Sequence, residues 1–206
     1  WDEAIRRLAD QGFNAILPNL LWGGAAFYES QVLPVAPAVA QQGDQLRECL
    51  VAARKYGVQV HVWKVNHYLG SAAPREFVDR LRQEGRLQAS SRGEEKPWLC
   101  PSHPANRQLE VASMLEVARQ YDVDGLHFDY IRYPHVVYCF CPQHLALAAE
   151  RDISIANVRG YINQTYYTPG DQKSYFNAYA NGDPDVTKWV GMRVDEINSV
   201  AEMVKD

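Results

Sequence analysis

The chain has 206 residues, of which 47% are hydrophobic, and this is enough to form a substantial core in one domain. A formal net charge of -4 and the lack of a basic stripe argue against nucleic acid as a partner. No apolar run in the sequence approaches the roughly 18 residues that a membrane-spanning helix requires, so we expect no membrane span.

The first feature along the chain is a unit that occurs three times, a helical pattern followed by an apolar strand. Each helix ends a few residues before its strand, in two cases near a Gly suited to the left-handed conformation of a helix terminus. The predicted pairs are Trp1–Leu8 with Phe13–Leu21, Leu46–Ala53 with Val58–Val65, and Leu109–Ala118 with Val123–Ile131. A further helical pattern, Val186–Val204, comes last.

The connections from strand to helix are long. They cover Trp22–Gly43, Asn66–Asn106 with one short helix near Arg75–Arg82, and Pro134–Asp185. Ordinary connections take about 2–6 residues, and long ones are usually functional. Short helix-to-strand turns with long strand-to-helix loops are typical of a (β/α)8 TIM barrel, whose chemistry lies at the carboxyl ends of its strands. A doubly wound open sheet is the second interpretation, and it is less favoured because no Gly-rich phosphate-binding sequence follows a strand.

Only part of such a barrel is evident. A complete barrel takes about 250 residues and eight strands, whereas three strands are clear here. The chain starts inside a helical pattern at Trp1, and a helix follows its third strand. We therefore expect residues 1–206 to form a single (β/α)-barrel catalytic domain that is truncated at both ends, with later strands beyond Asp206.

The stretch Asp124–Pro134 combines an apolar strand with ionisable groups. Alternation along a strand places His127 and Asp129 together on one face. Because burial of a carboxylate is costly unless it is paired, this face is predicted to line a site. Asp129, at the carboxyl end of the strand, is the candidate catalytic residue, and the alternative is that it pairs with Arg132 or caps a loop. His127 is predicted to orient Asp129 or to bind substrate, and the alternative is a buried, hydrogen-bonded structural histidine.

Polar and aromatic side chains gather near the ends of the predicted strands. Such a mixture suits a sugar, since C–H groups stack on aromatic rings while hydroxyl groups need well-placed polar partners. The residues predicted to bind substrate are Asn19, Trp22, Trp63, Asn66, His67, His127, Arg132 and Tyr133. For the aromatic residues core packing is the alternative, and for Arg132 it is an ordinary ion pair.

Four cysteines are too few for a disulfide scaffold. Cys139 and Cys141 lie close to His144, and Cys100 lies close to His103, so two groups of soft metal ligands can be distinguished. Zinc sites usually show matched sets of Cys-x2–4-Cys pairs, and the chain has a single Cys-x-Cys. The sequence therefore favours free thiols or a local disulfide, and we expect no metal and no other cofactor.

These motifs resemble a known group, the bacterial glycosyl-hydrolase-like TIM-barrel proteins that are often labelled family 10 glycosylhydrolases and are distinct from the family-ten xylanases. The matching segments are Trp98-Leu99-Cys100-Pro101-Ser102, Tyr121 to Pro134, Gly12-Phe13-Asn14, Tyr28-Glu29-Ser30, the stretch from Gly57 to Asn66 with His61-Val62-Trp63, and Trp189 to Val204. The resemblance runs nearly end to end, and its most specific part is the strand that carries His127 and Asp129.

The resemblance implies a carbohydrate-active barrel that is often exported to the periplasm, the cell surface or the medium. It makes the His127–Asp129 strand the fourth of the barrel and puts Asp129 in the position of a catalytic carboxylate. The substrates it implies are oligo- or polysaccharides, including bacterial cell-wall and exopolysaccharide glycans. Chitinase-like barrels, by contrast, carry Asp-Gly-x-Asp-x-Asp-x-Glu on strand four, and here His127 and Ile131 replace the middle Asp and the Glu.

The leading hypothesis is glycoside hydrolysis, which usually needs two carboxyl groups about 5–5.5 Å apart for retention or roughly 6.5–9.5 Å apart for inversion. Asp129 is the predicted nucleophile or base, and its partner is expected on a strand beyond Asp206. Glu29 is the acidic residue nearest to the first strand end and is not favoured. One rival is a non-catalytic carbohydrate-binding barrel with stacking platforms at Trp22, Trp63 and Tyr133. Another is a metal-dependent hydrolase at the Cys139–His144 loop.

Overall fold

The computed structural model describes residues 1–205 and shows a mixed α/β fold. Its strands are β1 (Ala15–Ile16), β2 (Asn19–Trp22), β3 (Ala25–Ala26), β4 (Gln59–Val65), β5 (Leu87–Ala89), β6 (Glu95–Leu99) and β7 (Gly125–Asp129). Its helices are α1 (Asp2–Asp10), α2 (Pro37–Gln42), α3 (Gln45–Tyr56), α4 (Arg75–Gln83), α5 (Pro104–Gln120), α6 (Pro142–Glu150), α7 (Ile155–Tyr167), α8 (Ser174–Ala180) and α9 (Pro184–Lys205).

The chain divides into two compact units. The first comprises Trp1–Asp79 and Gln108–Ile131, and the second comprises Arg80–Arg107 and the residues from Arg132 onward. The expectation of a single catalytic domain stays a prediction.

The first unit is built on parallel strands that are adjacent in chain order. β1 and β2 both pair with β4, and β7 pairs with the opposite edge of β4, all in parallel. β1 and β2 together form the predicted strand Phe13–Leu21, which is interrupted at Pro18, where the carbonyl accepts a hydrogen bond of 2.9 Å from the N–H of Trp63. Adjacent parallel strands joined by helices are the repeating unit of an α/β sheet or barrel, and closure into a barrel stays a prediction.

The predicted short connections from helix to strand are present. The side chain of Asp44 caps α3 by accepting a hydrogen bond of 2.9 Å from the N–H of Arg47. The helix ends at Gly57, whose φ of 66° is left-handed, and β4 begins two residues later. Local sequence signals therefore set both ends of this helix.

The faces of β4 follow the predicted alternation. Val60 and Val62 are buried in the core of the first unit, together with residues of α3 and α5, whereas His61 and Trp63 are half-buried on the opposite face. Lys64 continues the buried face, so that a charged side chain lies beneath the sheet.

The second unit departs from the loop predicted at Pro134–Asp185. That segment contains α6, α7 and α8, which form a core with α9 around the fully buried Trp189. The predicted loop Asn66–Asn106 likewise holds an antiparallel pair, β5 with β6, after the expected helix α4. The helices α6, α7 and α8 pack on one another, and within residues 1–205 no strand follows them. They therefore lack the helix-then-strand succession by which the other helices were recognised in the sequence.

The predicted terminal helix Val186–Val204 is confirmed as α9. Within residues 1–205 every helix is too short or too polar to cross a lipid bilayer.

Candidate functional site

The candidate site lies at the carboxyl ends of the parallel strands of the first unit. Trp63 of β4 and His127 of β7 are paired in register, and their rings stand nearly perpendicular with centroids 6.0 Å apart. His127 is exposed and Trp63 is half-buried. Asn19 at the start of β2 is paired with Trp63 from the other side and is also exposed. Three of the predicted substrate-binding residues therefore meet across neighbouring strands.

Asp129 is the last residue of β7 and is half-buried on the same face as His127. Its carbonyl accepts a hydrogen bond of 2.7 Å from the N–H of Asn66, which ties the ends of β4 and β7 together. Its Oδ1 accepts a hydrogen bond of 2.8 Å from the N–H of Tyr130, a residue with a left-handed φ of 54°. This is the loop-capping contact that the structural alternative expects. The second carboxylate oxygen has no protein hydrogen-bond donor among residues 1–205.

A row of three aromatic rings lies beside Asp129. The centroids of Trp22 and Tyr68 are 6.4 Å apart, and those of Tyr68 and Tyr130 are 6.3 Å apart. Tyr130 is 39% exposed, while Trp22 and Tyr68 are half-buried. Apolar ring faces at a polar site are suited to stacking against sugar C–H groups. Sequence reasoning named Trp22 and missed Tyr68, whose position three residues past the end of β4 was the available signal.

Gly125 lies one layer deeper on the same face. A Cβ atom at this position would collide with the imidazole of His61 on β4. The glycine therefore leaves the space that His61 occupies beneath Trp63 and His127, and this explains why a small residue begins the strand that carries the site.

Asn66 and His67, also predicted to bind substrate, are 0% and 1% exposed. The Asn66 amide donates a hydrogen bond of 2.7 Å to Glu110 of α5, and the His67 N–H donates one of 3.2 Å to the same carboxylate. Burial lowers the pKa of His67. The structure thus directs these residues toward α5 rather than toward the exposed face, and their contact with substrate stays a prediction.

Lys64 completes this buried network. Its Nζ lies 3.2 Å from Glu110 and donates a hydrogen bond of 2.6 Å to the hydroxyl of Ser113. Burial alone raises the pKa of Glu110, but the charges of Lys64 and His67 and the hydrogen bond from Asn66 bring it below its ordinary value. The ionised carboxylate thereby fixes the carboxyl end of β4 through its contacts with Lys64, Asn66 and the His67 N–H.

A second buried carboxylate, Glu116, anchors the segment that contains Tyr28 and Ser30. It accepts hydrogen bonds of 3.1 Å from the Tyr28 hydroxyl, 2.5 Å from the Ser30 hydroxyl and 2.6 Å from the N–H of Gln31. Burial raises the pKa of Tyr28. Tyr28 is fully buried, so this segment serves the fold of the first unit, and Glu29 between the two anchored residues is exposed.

Arg132 and Tyr133 belong to the second unit. Arg132 is exposed. The ring of Tyr133 lies under the guanidinium of Arg193, 4.0 Å from its centroid, and stands edge-on to His144 at 5.7 Å. Burial raises the pKa of Tyr133. Tyr133 is thus packed among side chains of its own unit, and the substrate-binding roles of both residues stay predictions.

The residues that could hold a metal also lie in the second unit. Cys100, Cys139 and Cys141 are buried, and their three sulfur atoms lie within 4.8 Å of one another. The two ligand groups distinguished in the sequence thus share one cluster of sulfur atoms. All four cysteines are free thiols, which is one of the two arrangements expected from the sequence; the other, a local disulfide, is not formed. Hydrogen bonds with Cys100 and Cys139 hold the pKa of Cys141 well below its usual range.

Three solved structures resemble the fold. α-L-Fucosidase isoenzyme 2 from Paenibacillus thiaminolyticus matches with a TM-score of 0.63 at 14% identity, over 98% of this chain and 26% of that chain. The PgaB (BpsB) glycoside hydrolase domain from Bordetella bronchiseptica matches with a TM-score of 0.59 at 17% identity, over 99% and 56%. A hypothetical protein from Ruminiclostridium thermocellum ATCC 27405 matches with a TM-score of 0.50 at 20% identity, over 73% and 87%. The chain therefore spans about a quarter of the fucosidase and just over half of the PgaB domain, and these identities show a likeness of fold alone.

Comparison at the level of families is more specific. The family model described as glycosyl hydrolase-like 10 matches residues 1–205. Comparison with curated proteins gives no match.

Proposed function

The chain belongs to the glycosyl hydrolase-like 10 family, and on this premise we propose that it forms part of a glycoside hydrolase that cleaves the glycosidic bonds of a polysaccharide, with Asp129 as one catalytic carboxylate. The observation that carries the proposal is the position of Asp129. It ends a parallel strand, faces the same side as the exposed His127, and adjoins a row of aromatic rings. Enzymes with parallel (β/α) strands place their catalytic groups at these strand ends.

The proposal includes the closure of the parallel strands into a (β/α)8 barrel. It is supported by strands that are adjacent in chain order and by helices that pack on one face of β4. The other face, with Trp63, Gly125 and His127, would then line the barrel interior at its open end. The family resemblance makes β7 the fourth strand of that barrel.

In the proposed reaction, Asp129 acts as the nucleophile or as the base that activates water. The hydrogen bond from Tyr130 fixes Oδ1, and it leaves Oδ2 for the substrate or the attacking water. Asp129 is the sole carboxylate within β1, β2, β4 and β7 or in the two residues after each. The distance from Asp129 to a second carboxyl group, about 5–5.5 Å or roughly 6.5–9.5 Å, decides between retention and inversion.

The substrate we propose is a neutral or weakly charged polysaccharide. Trp22, Tyr68 and Tyr130 lie in a row with interplanar angles of 56° and 72°, so each ring offers a separate contact to a sugar unit, and His127 and Asn19 supply polar contacts. We also propose that the protein is exported, since the family resemblance implies it. The expectation that nucleic acid is not a partner stays a prediction.

The test is the replacement of Asp129 by Asn in the full-length protein, assayed against a panel of bacterial cell-wall and exopolysaccharide glycans. We expect turnover to fall on the order of 10²–10⁴-fold or more, the usual contribution of a positioned acid or base. The matched control is Asp122→Asn, which removes an exposed carboxylate just before the amino end of the same strand. Undiminished glycan cleavage by Asp129→Asn would exclude the assignment.

The second candidate function, carbohydrate binding without catalysis, is favoured by the aromatic row. Under this alternative the wild-type protein binds a glycan and does not cleave it. Tyr130→Ala should weaken binding by about 0.5–1.5 kcal/mol, which is roughly 2–10-fold in Kd, and Asp129→Asn should leave it unchanged. Phe176→Ala, at an exposed aromatic residue of the second unit, is the control.

A further inference from the structure

The second unit contains a cluster of three buried thiols that the proposed hydrolysis does not use. Cys100 follows β6, whereas Cys139 and Cys141 precede α6, and their exposed fractions are 0%, 0% and 1%. The three sulfur atoms lie within 4.8 Å of one another, and those of Cys100 and Cys141 are 3.3 Å apart. Chain segments about forty residues apart thus bring three soft donor atoms to one point.

We propose that Cys100, Cys139 and Cys141 bind a structural Zn²⁺ ion and that His103 supplies the fourth ligand. Zinc prefers tetrahedral sets of thiolate sulfur and imidazole nitrogen, and Cys₃His is one of its standard structural combinations. With Zn–S bonds of about 2.3 Å, the sulfur atoms of such a site lie about 3.8 Å apart. In the cluster the Cys100 and Cys141 sulfur atoms are 3.3 Å apart and all three lie within 4.8 Å of one another, so small side-chain shifts suffice to reach this spacing.

The backbone on both sides of the cluster is already fixed. The Asn106 amide donates hydrogen bonds of 2.9 Å to the carbonyl of Cys100 and 2.8 Å to that of Arg86. The N–H of Phe140, between the other two cysteines, donates one of 2.7 Å to the carbonyl of Ala89. The donors are thus preorganised, which lowers the entropy cost of binding an ion.

The fourth ligand is chosen from two histidines that occupy equivalent sequence positions. Cys100-Pro101-Ser102-His103 and Cys141-Pro142-Gln143-His144 share the pattern Cys-Pro-x-His, and each His comes three residues after a cluster cysteine. Among residues 1–205, neither histidine has a ring nitrogen that lies within 4.8 Å of all three sulfur atoms. One imidazole must therefore rotate toward them.

His103 is the better placed of the two to rotate. Its Nδ1, like the Nε2 of His144, is buried and has no hydrogen-bond partner among the described residues, so the difference lies in what holds each ring. The Nδ1 of His144 is held by the Ser102 hydroxyl at 2.8 Å, and its ring is packed against Trp189 with centroids 4.9 Å apart. Rotation of His103 costs no existing hydrogen bond, whereas rotation of His144 breaks one.

Arg193 is the positively charged side chain that competes with a metal ion for the place beside the three thiols. Its guanidinium stacks on the ring of Tyr133 and donates a hydrogen bond of 3.2 Å to the carbonyl of Val136. One of its donors is thus engaged with Val136 and its guanidinium lies on Tyr133, and in the described part of the chain no cysteine sulfur takes a hydrogen bond from it.

The experiment is a titration of the reduced protein with Co²⁺ and then Zn²⁺. We expect one equivalent of Co²⁺ to give the thiolate charge-transfer absorption and the intense visible bands of a tetrahedral site, and Zn²⁺ to displace it. X-ray absorption of the zinc form should show three sulfur atoms at about 2.3 Å and one nitrogen at about 2.0–2.1 Å. Cys139→Ser should abolish these signals. Cys49→Ala, at the buried cysteine of the first unit, should keep them.

A second measurement uses the wild-type protein, so its result does not depend on whether a cysteine variant folds. All four thiols are buried, so the readout is a comparison of alkylation rates: zinc should slow the alkylation of Cys100, Cys139 and Cys141 relative to the chelated protein and should leave the rate at Cys49 unchanged. Equal rates at the three cluster cysteines with and without zinc, or a Cys100–Cys141 disulfide that forms and excludes zinc, would overturn the proposal. His103→Gln should remove the outer-shell scattering of the imidazole ring from the X-ray absorption spectrum, whereas loss of that scattering in His144→Gln and not in His103→Gln would refute the choice of His103.

Discussion

The ammonium of Lys64 lies 3.2 Å from the carboxylate of Glu110, and the two side chains are each 4% exposed. This ion pair lies beneath the carboxyl end of β4, directly below the strand segment that leads to Trp63 and Asn66. Burial of two charges is costly, and it is tolerated when further hydrogen bonds complete the pair. Ser113, Asn66 and the N–H of His67 supply those bonds. A buried polar network therefore supports the strand end at which the candidate site lies.

Replacement of Glu110 by Gln should strongly destabilise the protein. It leaves the Lys64 charge buried without a counter-ion, and the expected loss is about 3–5 kcal/mol in the free energy of unfolding. Urea denaturation measures it. The control is Asp122→Asn, which breaks the exposed pair with Arg54 and should cost less than about 1 kcal/mol. Equal stabilities of the two variants would contradict a structural role for the buried pair.

A double variant, Lys64→Met with Glu110→Leu, separates charge from packing. It removes both ions, so it should recover part of the stability that Glu110→Gln loses. Recovery should be incomplete, because the Asn66 amide still lacks its acceptor.

The same network predicts that stability falls in acid. Burial lowers the pKa of His67 below its ordinary 6.5, so the unfolded chain takes up that proton at a higher pH than the folded one. The contribution of neutral His67 is present above about pH 6.5 and is lost as the pH falls. The pKa of Glu110 is likewise lowered from 4.5, so its contribution is lost below about pH 4.5.

Denaturation between pH 8 and about pH 2.5 tests this order of events. His67→Asn should flatten the decline that begins near pH 6.5, and Asn accepts the left-handed φ of 62° at this position. Glu110→Gln should flatten only the steeper part below about pH 4.5. A pH profile of His67→Asn that is identical to that of the wild type would show that His67 does not titrate with folding.

The alternation of β4 shows both the reach and the limit of sequence reasoning. Period-two patterning correctly separated Val60 and Val62 from His61 and Trp63, since only one face of the strand packs against helices. The same period places Lys64 on the buried face, but its partner could not be identified from the pattern, because Glu110 is far along the chain and on a helix. Long-range pairing of polar groups has no local signature.

The helices α6, α7 and α8 were missed for a related reason. In the first unit α1, α3 and α5 each precede a strand, and that succession made the pattern visible. The helices of the second unit pack on one another around Trp189, and no strand follows them. The meeting of Cys100 with Cys141 is likewise a product of the tertiary fold, since spacing alone separates them by forty residues.

Gly125 gives a prediction about the layer beneath the site. Gly125→Ala places a Cβ against the His61 imidazole, and the expected loss of stability is about 1–3 kcal/mol. The double variant Gly125→Ala/His61→Ala should lose less stability than the sum of the two single losses, because the collision needs both side chains. The matched control is Gly160→Ala in α7, where a Cβ meets no atom within 4 Å and should stabilise the helix by up to about 1 kcal/mol. If Gly125→Ala were as stable as Gly160→Ala, the two strands would not be packed at this layer, and the placement of His127 and Asp129 above it would lose its support.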